Sequence, residues 1–259
     1  GKSSLLRAGL IPLMEEGHEN WAGVVFHPGA SWQTNLAEAL QSAALPLRGL
    51  TLPESPTELA KQVSEALGGR KLILGVDQFE EVFSGKGDAA SLAQVLNELC
   101  RTEQVWIAIT VRSDFFERCQ EVSELRELTS PHGKYLLKAP DEASLRQMIR
   151  HPAELAGLQF EVDSRRNQRL DERLVEDAKD QSHPLPLIAF ALSQLYARRK
   201  KRTLRFRDYE ALGGLAGSLG SRAEEVFASL PKRSRAQFSR MASALVTVTS
   251  EKPSRRWAL

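Results

Sequence analysis

Three stretches of the sequence contain side chains that could bind a phosphate or a metal ion. The chain begins GKSSLLRAGLIP, so Gly1, Lys2 and Ser3 match the last three positions of the pattern G-x-x-x-x-G-K-[ST]. In that pattern, backbone N–H groups hold the phosphates, the lysine reaches the β- and γ-phosphates, and the hydroxyl binds Mg²⁺. Taken alone, the three matching positions favour the simpler interpretation, which is the polar start of a helix.

A second group of candidates follows an apolar run. In KLILGVDQFEEVF the run ends at Asp77, and Glu80 and Glu81 come just after it. Phosphoryl transfer needs a carboxylate near the Mg²⁺ and a second group that orients or deprotonates the attacking water. Ligands of open α/β sheets lie at the carboxyl ends of the strands, where Asp77 is expected. An acidic helix start, stabilised by the helix dipole, is the alternative. The combination with Lys2 and Ser3 favours a nucleoside triphosphate site.

The third candidate is Arg112, in the stretch VWIAITVRSDFF. It follows the next predicted strand and therefore lies on the same rim of the sheet as Asp77. A guanidinium at this place could sense or stabilise a γ-phosphate. The alternative is a surface ion pair with Asp114 or Glu117.

The elements that must position these residues alternate between strand and helix up to Pro140. One apolar stripe in the opening segment predicts a helix that begins at or just after Gly1. Apolar runs predict strands at 21–27, 71–77, 105–111 and 134–140, and amphipathic patterns predict helices at 33–44, 57–67 and 89–101. This alternation predicts an α/β fold with a doubly wound parallel sheet.

After Pro140 the pattern becomes helical. Helices are predicted at 141–156, 170–180, 185–200, 221–230 and 232–245, with a linker at 211–220 and a final strand and turn. The charge also changes: residues 1–140 hold 13 Lys and Arg against 18 Asp and Glu, and residues 141–259 hold 22 against 15. A domain boundary near 140 is therefore predicted.

Composition excludes several classes of protein. The chain is 42% hydrophobic and 26% charged, as is typical of a globular protein, and it lacks an apolar run of about 18 residues. Cys100 and Cys119 follow no pairing pattern, which favours a reducing, cytoplasmic compartment. The histidines lack metal-site spacing, and the basic run 198–202 closes a predicted helix, so nucleic acid is not indicated as a partner.

Taken in order, these stretches resemble the signal transduction ATPases with numerous domains (STAND), and most closely their novel STAND branch in multidomain bacterial proteins. The segments LRQMIRHPAELAGLQFE, PLPLIAFAL and YEALGGLAGSL extend the resemblance over nearly the whole chain. It implies a P-loop NTPase core of AAA+ type over 1–140, a helical lid over 141–212, and the start of a winged-helix-like domain over 213–259. It also implies that the first core strand precedes Gly1 and lies between the strands at 105–111 and 134–137.

The resemblance assigns roles to individual residues. ATP is held by Gly1, Lys2, Ser3 and Ser4, with Pro186 against the adenine. Mg²⁺ is held by Ser3 and Asp77, Glu80 or Glu81 activates water, and Arg112 is the sensor. Two positions differ from the family pattern, because Pro184 stands where a glycine is expected and His27 where an arginine is expected.

The implied function is a slowly hydrolysing ATP switch. It self-associates through the NTPase domain when nucleotide binds and couples fused sensor and effector domains. Two other functions remain open at this stage. One is an AAA+-like DNA-handling ATPase, and the other is a nucleotide-binding scaffold without turnover.

Overall fold

The computed structural model describes residues 1–17, 20–29, 31–43, 52–83, 88–128, 133–181, 184–249 and 252–255. It divides into two compact units, Gly1–Lys138 and Ala139–Leu259. The strands of the first unit are β1 (Trp21–Phe26), β2 (Lys71–Val76) and β3 (Val105–Ile109). Its helices are α1 (Lys2–Leu5), α2 (Ile11–Gly17), α3 (Trp32–Ser42), α4 (Pro56–Leu67), α5 (Ala89–Arg101), α6 (Phe116–Glu121) and α7 (Ser123–Leu128). A π-helical turn covers Leu6–Leu10, and 3₁₀ turns cover Phe79–Phe83 and Ser113–Phe115.

The three strands form a parallel sheet in the order β1-β2-β3, which confirms the α/β class predicted from the sequence. On one face, residues of all three strands form the largest apolar cluster together with α3, α4 and α5. Its members include Leu36, Val63, Leu72, Leu74, Val76 and Leu96. Because side chains alternate along a strand, Ile73 and Gly75 of β2 face the other side of the sheet. That second face carries the candidate site.

The helical run from Lys2 to Gly17 packs on this second face through Leu6 and Ile11. Two strand glycines leave room for it. A Cβ atom at Gly23 would lie 2.4 Å from Ile11 Cγ2, and one at Gly75 would lie 3.0 Å from Leu6 Cδ2. The helix can therefore lie directly against the backbone of the sheet, and its first residues reach the carboxyl end of β2.

The predicted strand at 134–140 is wrong, because residues 134–141 form no regular element. Within the described part of the chain, no backbone ladder joins residues 134–138 to β3. Tyr135 and Leu136 are 81% and 75% exposed. An apolar run becomes a strand only where a neighbour satisfies its N–H and C=O groups, and these residues have no such neighbour here. The predicted position of a further core strand between the two segments stays a prediction.

The second unit is mainly helical. Its helices are α8 (Glu142–Leu155), α9 (Leu170–Lys179), α10 (Pro184–Arg198), α11 (Phe206–Ala211), α12 (Gly214–Ser229) and α13 (Lys232–Leu245). Its short strands are β4 (Gln159–Phe160), β5 (Val162–Asp163), β6 (Gln168–Arg169), β7 (Thr203–Leu204), β8 (Val246–Thr249) and β9 (Lys252–Arg255). They pair as β4-β7, β5-β6 and β8-β9. No helix of the described chain has both the length and the apolar character that a membrane span requires. The division of this unit into a lid and a winged-helix-like start stays a prediction.

The predicted linker at 211–220 is also wrong, because α12 begins at Gly214. Gly213 and Gly214 have φ angles of 77° and 68°, a conformation that glycine adopts at little cost, and they make the tight turn between α11 and α12. The hydroxyl of Tyr209 donates a 2.7 Å hydrogen bond to Asp177 Oδ2 and so ties α11 to α9. The glycine-rich segment therefore serves as a packed corner of the second unit.

Candidate functional site

The candidate site is built around Asp77, directly after β2. Its N–H donates to the carbonyl of Phe26 at the end of β1, and the N–H of Phe79 donates to the carbonyl of Thr110 after β3, both at 2.9 Å. The ends of all three strands are thus joined at this point. The side chain of Asp77 is fully buried. A buried carboxylate needs hydrogen-bond partners to offset the loss of hydration.

Two hydroxyl groups meet one oxygen of this carboxylate. Ser3 Oγ donates to Asp77 Oδ1 at 2.9 Å, and Thr110 Oγ1 donates to the same oxygen at 2.7 Å. The structure therefore brings together Ser3 and Asp77, the two residues predicted to hold a metal ion, although 74 positions separate them in the chain. Thr110 was not predicted. Its only signal in the sequence is a hydroxyl residue at the end of an otherwise apolar strand.

The other oxygen of Asp77 faces an arginine that the sequence analysis also missed. Arg7 Nε donates to Asp77 Oδ2 at 3.3 Å, and an Arg7 NH2 group lies 2.7 Å from His27 Nε2. Because arginine can only donate, His27 Nε2 must accept. The proton of His27 is then on Nδ1, which lies 3.2 Å from the carbonyl oxygen of Asp77 and donates to it. His27 therefore bridges Arg7 and the backbone at the end of β2.

The environment of Asp77 lowers the pKa of its carboxyl group. Burial acts most strongly and raises the pKa, but the hydrogen bonds from Thr110, Ser3 and Arg7 together outweigh it. The carboxylate is therefore ionised at neutral pH, as a metal ligand must be.

Glu80 and Glu81 lie in the 3₁₀ turn Phe79–Phe83, next to the strand ends. Gln78 turns the chain into it with a φ of +57°, which is uncommon for a residue other than glycine. Its N–H is held by Thr110 Oγ1 at 3.0 Å. Glu80 Oε2 accepts a 3.2 Å bond from the N–H of Arg112. For the side chain of Glu81, the described residues supply no hydrogen bond or ion pair.

Arg112 points to Asp114 through two hydrogen bonds of 3.0 and 2.9 Å, so the surface ion pair considered from the sequence is formed. Both side chains are more than half exposed. The hydrogen bond from Arg112 lowers the pKa of Asp114 most strongly, and the charge of Lys2 contributes further. An ion pair of Arg112 and Asp114 therefore borders the rim that Asp77 occupies, and Lys2 is close enough to act on Asp114 through its charge.

The start of α1 presents backbone donors beside Asp77. The helix covers Lys2–Leu5, and its first N–H groups have no partner within the helix. Lys2 and Ser4 are exposed. This arrangement suits an anion, because a helix start carries a partial positive charge.

Comparison with known proteins shows the family of this chain. A model of the novel STAND NTPase 1 family matches residues 1–259, the whole chain. The chain belongs to this family. Among solved structures, a Walker-type ATPase of Pyrococcus abyssi is similar over 94% of this chain and 68% of that chain, with 15% sequence identity and a TM-score of 0.47. No curated protein matches. The resemblance to novel STAND NTPases noted in the sequence is thereby confirmed.

The donors of this novel STAND NTPase fit Mg²⁺ better than a metal that needs a complete protein cage. Mg²⁺ prefers oxygen ligands and is usually held by one or two carboxylates together with substrate phosphates and water. Ser3 and Asp77 supply a hydroxyl and a carboxylate of this kind. In the ranges that the structure describes, no three His, Cys, Asp or Glu side chains form a metal-binding group.

Pro186, the residue assigned to the adenine, lies in the first turn of α10 in the second unit of this novel STAND NTPase. Pro184 begins that helix, a position where proline costs little because its missing N–H would have no partner there. The role of Pro186 stays a prediction.

The lowered pKa of Asp77 predicts a pH-dependent contribution to stability. A carboxyl group with a lowered pKa in the folded state stabilises the fold above its unfolded pKa of about 3.9, and this contribution is lost as the pH falls through the folded value. Thr110→Val removes one of the lowering hydrogen bonds. We expect Thr110→Val to lower the free energy of unfolding at pH 7, and the deficit to shrink below about pH 4. Urea unfolding from pH 7 to 3 measures this.

The matched control is Thr110→Ser, which keeps the hydroxyl and should follow the wild type across the whole pH range. Thr110→Val also removes the acceptor of the Gln78 N–H, which adds a deficit that does not depend on pH. A deficit that stays constant from pH 7 to 3 would contradict a role of Thr110 in setting the pKa of Asp77.

Proposed function

We propose that this novel STAND NTPase binds ATP with Mg²⁺ at the carboxyl end of its sheet, hydrolyses it slowly, and serves as a nucleotide-dependent switch. The contact between Ser3 Oγ and Asp77 Oδ1 carries the proposal. It joins a hydroxyl in the first turn of a helix to an ionised, buried carboxylate at a strand end. This is the pair of oxygen ligands that a nucleotide-bound magnesium ion requires.

The residues at the start of α1 bind the phosphates in this proposal. The N–H groups of the first turn, including those of Ser3 and Ser4, face the anion, and Lys2 adds a mobile positive charge. Gly1 would hold the phosphates together with these residues. The bound Mg²⁺ would neutralise charge that develops on the transferring phosphoryl group. Pro186 would contact the adenine.

Glu81 is the better candidate for the group that orients or deprotonates the attacking water. Glu80 accepts from the N–H of Arg112 and is thereby engaged in holding the rim. Both glutamates follow the metal ligand Asp77 within one short turn, where a water near the γ-phosphate would be. The sequence left open whether Glu80 or Glu81 activates water. We assign this role to Glu81 and regard Glu80 as a positioning residue.

Arg112 acts as the sensor in this proposal. Its guanidinium pairs with Asp114 in the present structure, and an exposed ion pair of this kind contributes about 0–1 kcal/mol. A γ-phosphate can therefore draw Arg112 from Asp114 at small cost. Such a change of partner would report the presence of ATP to the rim of the sheet.

The wider role of the switch belongs to the same proposal. The switch would be cytoplasmic, self-associate through the NTPase domain in response to nucleotide, and transmit a signal between fused sensor and effector domains. The family name supports the NTPase part of this proposal, and the geometry at Asp77 supports the metal site.

The test is nucleotide binding by the full-length protein, measured by isothermal titration calorimetry with ATP and Mg²⁺. We expect Lys2→Ala and Asp77→Ala each to weaken ATP binding by about 10- to 100-fold, because each loses a charged contact. Lys61→Ala is the control, since this exposed lysine lies on α4, and it should bind ATP like the wild type. Unchanged ATP affinity in Lys2→Ala would contradict the proposed phosphate site.

A further inference from the structure

The proposed function leaves Arg7 without a role, although it makes the closest charged contact with Asp77. Arg7 lies in the π-helical turn Leu6–Leu10, and π-helical turns are frequent at functional sites. Its Nε atom is 3.3 Å from Asp77 Oδ2, and its side chain is 44% exposed. The arginine thus reaches from the surface to a fully buried carboxylate.

The two oxygens of Asp77 have different partners. Oδ1 accepts from the hydroxyls of Ser3 and Thr110, which are neutral donors. In the part of the chain that the structure describes, Oδ2 has a single hydrogen-bond donor, the guanidinium of Arg7. His27 Nε2 is 3.9 Å from Oδ2, too far for a hydrogen bond. A cation therefore already covers the oxygen that the hydroxyls leave open.

A second contact holds Arg7 in this place. The lone pair of His27 Nε2 accepts from Arg7 at 2.7 Å, while His27 Nδ1 is fixed on the carbonyl of Asp77. His27 therefore aims the guanidinium at Asp77. Since the arginine side chain is nearly half exposed, it can swing into solvent when another cation takes its place at Asp77, and no buried charge is then left unpaired.

We propose that Arg7 is a positioning residue that covers Asp77 Oδ2 in the metal-free protein and competes with Mg²⁺ for this oxygen. This inference rests on the proposed metal site at Asp77. Arg7 keeps the buried carboxylate neutralised when no metal is bound, which avoids the cost of an uncompensated buried charge. It also weakens binding of the metal alone, so that Mg²⁺ enters mainly together with the phosphates of a nucleotide.

The experiment measures binding of Mn²⁺, a paramagnetic probe for the Mg²⁺ site, to the nucleotide-free full-length protein by electron paramagnetic resonance. We expect Arg7→Gln to bind Mn²⁺ about three- to fivefold more tightly than the wild type, the range that corresponds to a partly exposed ion pair. His27→Ala should shift the affinity in the same direction by less, because Arg7 then loses one of its two partners. Thermal unfolding of each variant checks that it is folded.

Two controls make the outcome specific. Arg101→Gln removes an arginine of the same unit that pairs with Glu98 on α5, and it should leave Mn²⁺ affinity unchanged. Asp77→Asn should abolish the binding. If Asp77→Asn abolishes binding and Arg7→Gln binds like the wild type, the role of Arg7 is overturned while the metal site stands. If Asp77→Asn has no effect on Mn²⁺ binding, both the metal site and the role of Arg7 are overturned.

Discussion

Glu81→Gln is expected to lower the rate of ATP hydrolysis by about 10²- to 10⁴-fold, the usual contribution of a general base, while ATP affinity stays within about twofold of the wild type. The amide of glutamine cannot take a proton from water, but it keeps the size of the side chain. The phosphate contacts of Lys2 and the helix start are untouched by this change. Phosphate release under saturating ATP and calorimetric titration of the same sample separate the two effects.

Glu80→Gln is the matched variant, because it lies in the same 3₁₀ turn and has the same chemistry. Its amide oxygen can still accept from the N–H of Arg112, the bond that Glu80 makes now. We therefore expect Glu80→Gln to retain most of the turnover. A large loss in Glu80→Gln with none in Glu81→Gln would reverse the assignment. If both variants hydrolyse ATP at the wild-type rate, neither Glu80 nor Glu81 is the general base.

Gly23→Ala is expected to destabilise the first unit by about 1–3 kcal/mol, the range for an overpacked core. The added Cβ would lie 2.4 Å from Ile11 Cγ2, far inside van der Waals contact. Ile11 is buried and branched at Cβ, so it cannot turn aside freely. To relieve this clash, α2 must move away from β1. This movement strains the helical run that carries Ser3 and Arg7. The midpoint of urea unfolding measures the loss.

Gly17→Ala provides the control with the same chemical change. Gly17 closes α2, and a Cβ there would meet nothing within 4 Å. Alanine favours helix over glycine by up to about 1 kcal/mol, so this variant should be as stable as the wild type or more so. Equal stability of Gly23→Ala and the wild type would contradict the close approach of the helix to the sheet.

The sheet and the nearness of Ser3 to Asp77 could be predicted because each rests on a strong local signal. The apolar runs of β1, β2 and β3 need burial on both faces, and a parallel sheet places the residue after each strand on one rim. Asp77 and Ser3 follow from that rule together with the lysine and hydroxyl pattern at the chain start. The proposed role of Glu81 needed the further fact that Glu80 is held by Arg112.

Other parts of the site could not be predicted because they depend on tertiary contacts. An arginine in a helical segment is most often solvated, and nothing adjacent to Arg7 in the sequence reveals Asp77 as its partner. His27 differs from the expected arginine, yet it takes part in the site by accepting from Arg7. The segment at 134–140 shows the opposite error, since an apolar pattern predicted a strand where no neighbouring strand pairs with it.

The position of Thr110 also affects how the sheet can assemble. It lies one residue beyond Ile109, which pairs with Val76, so the correct alignment of β3 places its hydroxyl beside Asp77. A β3 strand shifted by one residue would bring Ile109 or Val111 to this place, and neither can donate a hydrogen bond. The misaligned sheet would keep a buried carboxylate without one of its main donors. The hydrogen bonds of Asp77 thereby select against wrong strand alignments while the protein folds, before any ligand is present.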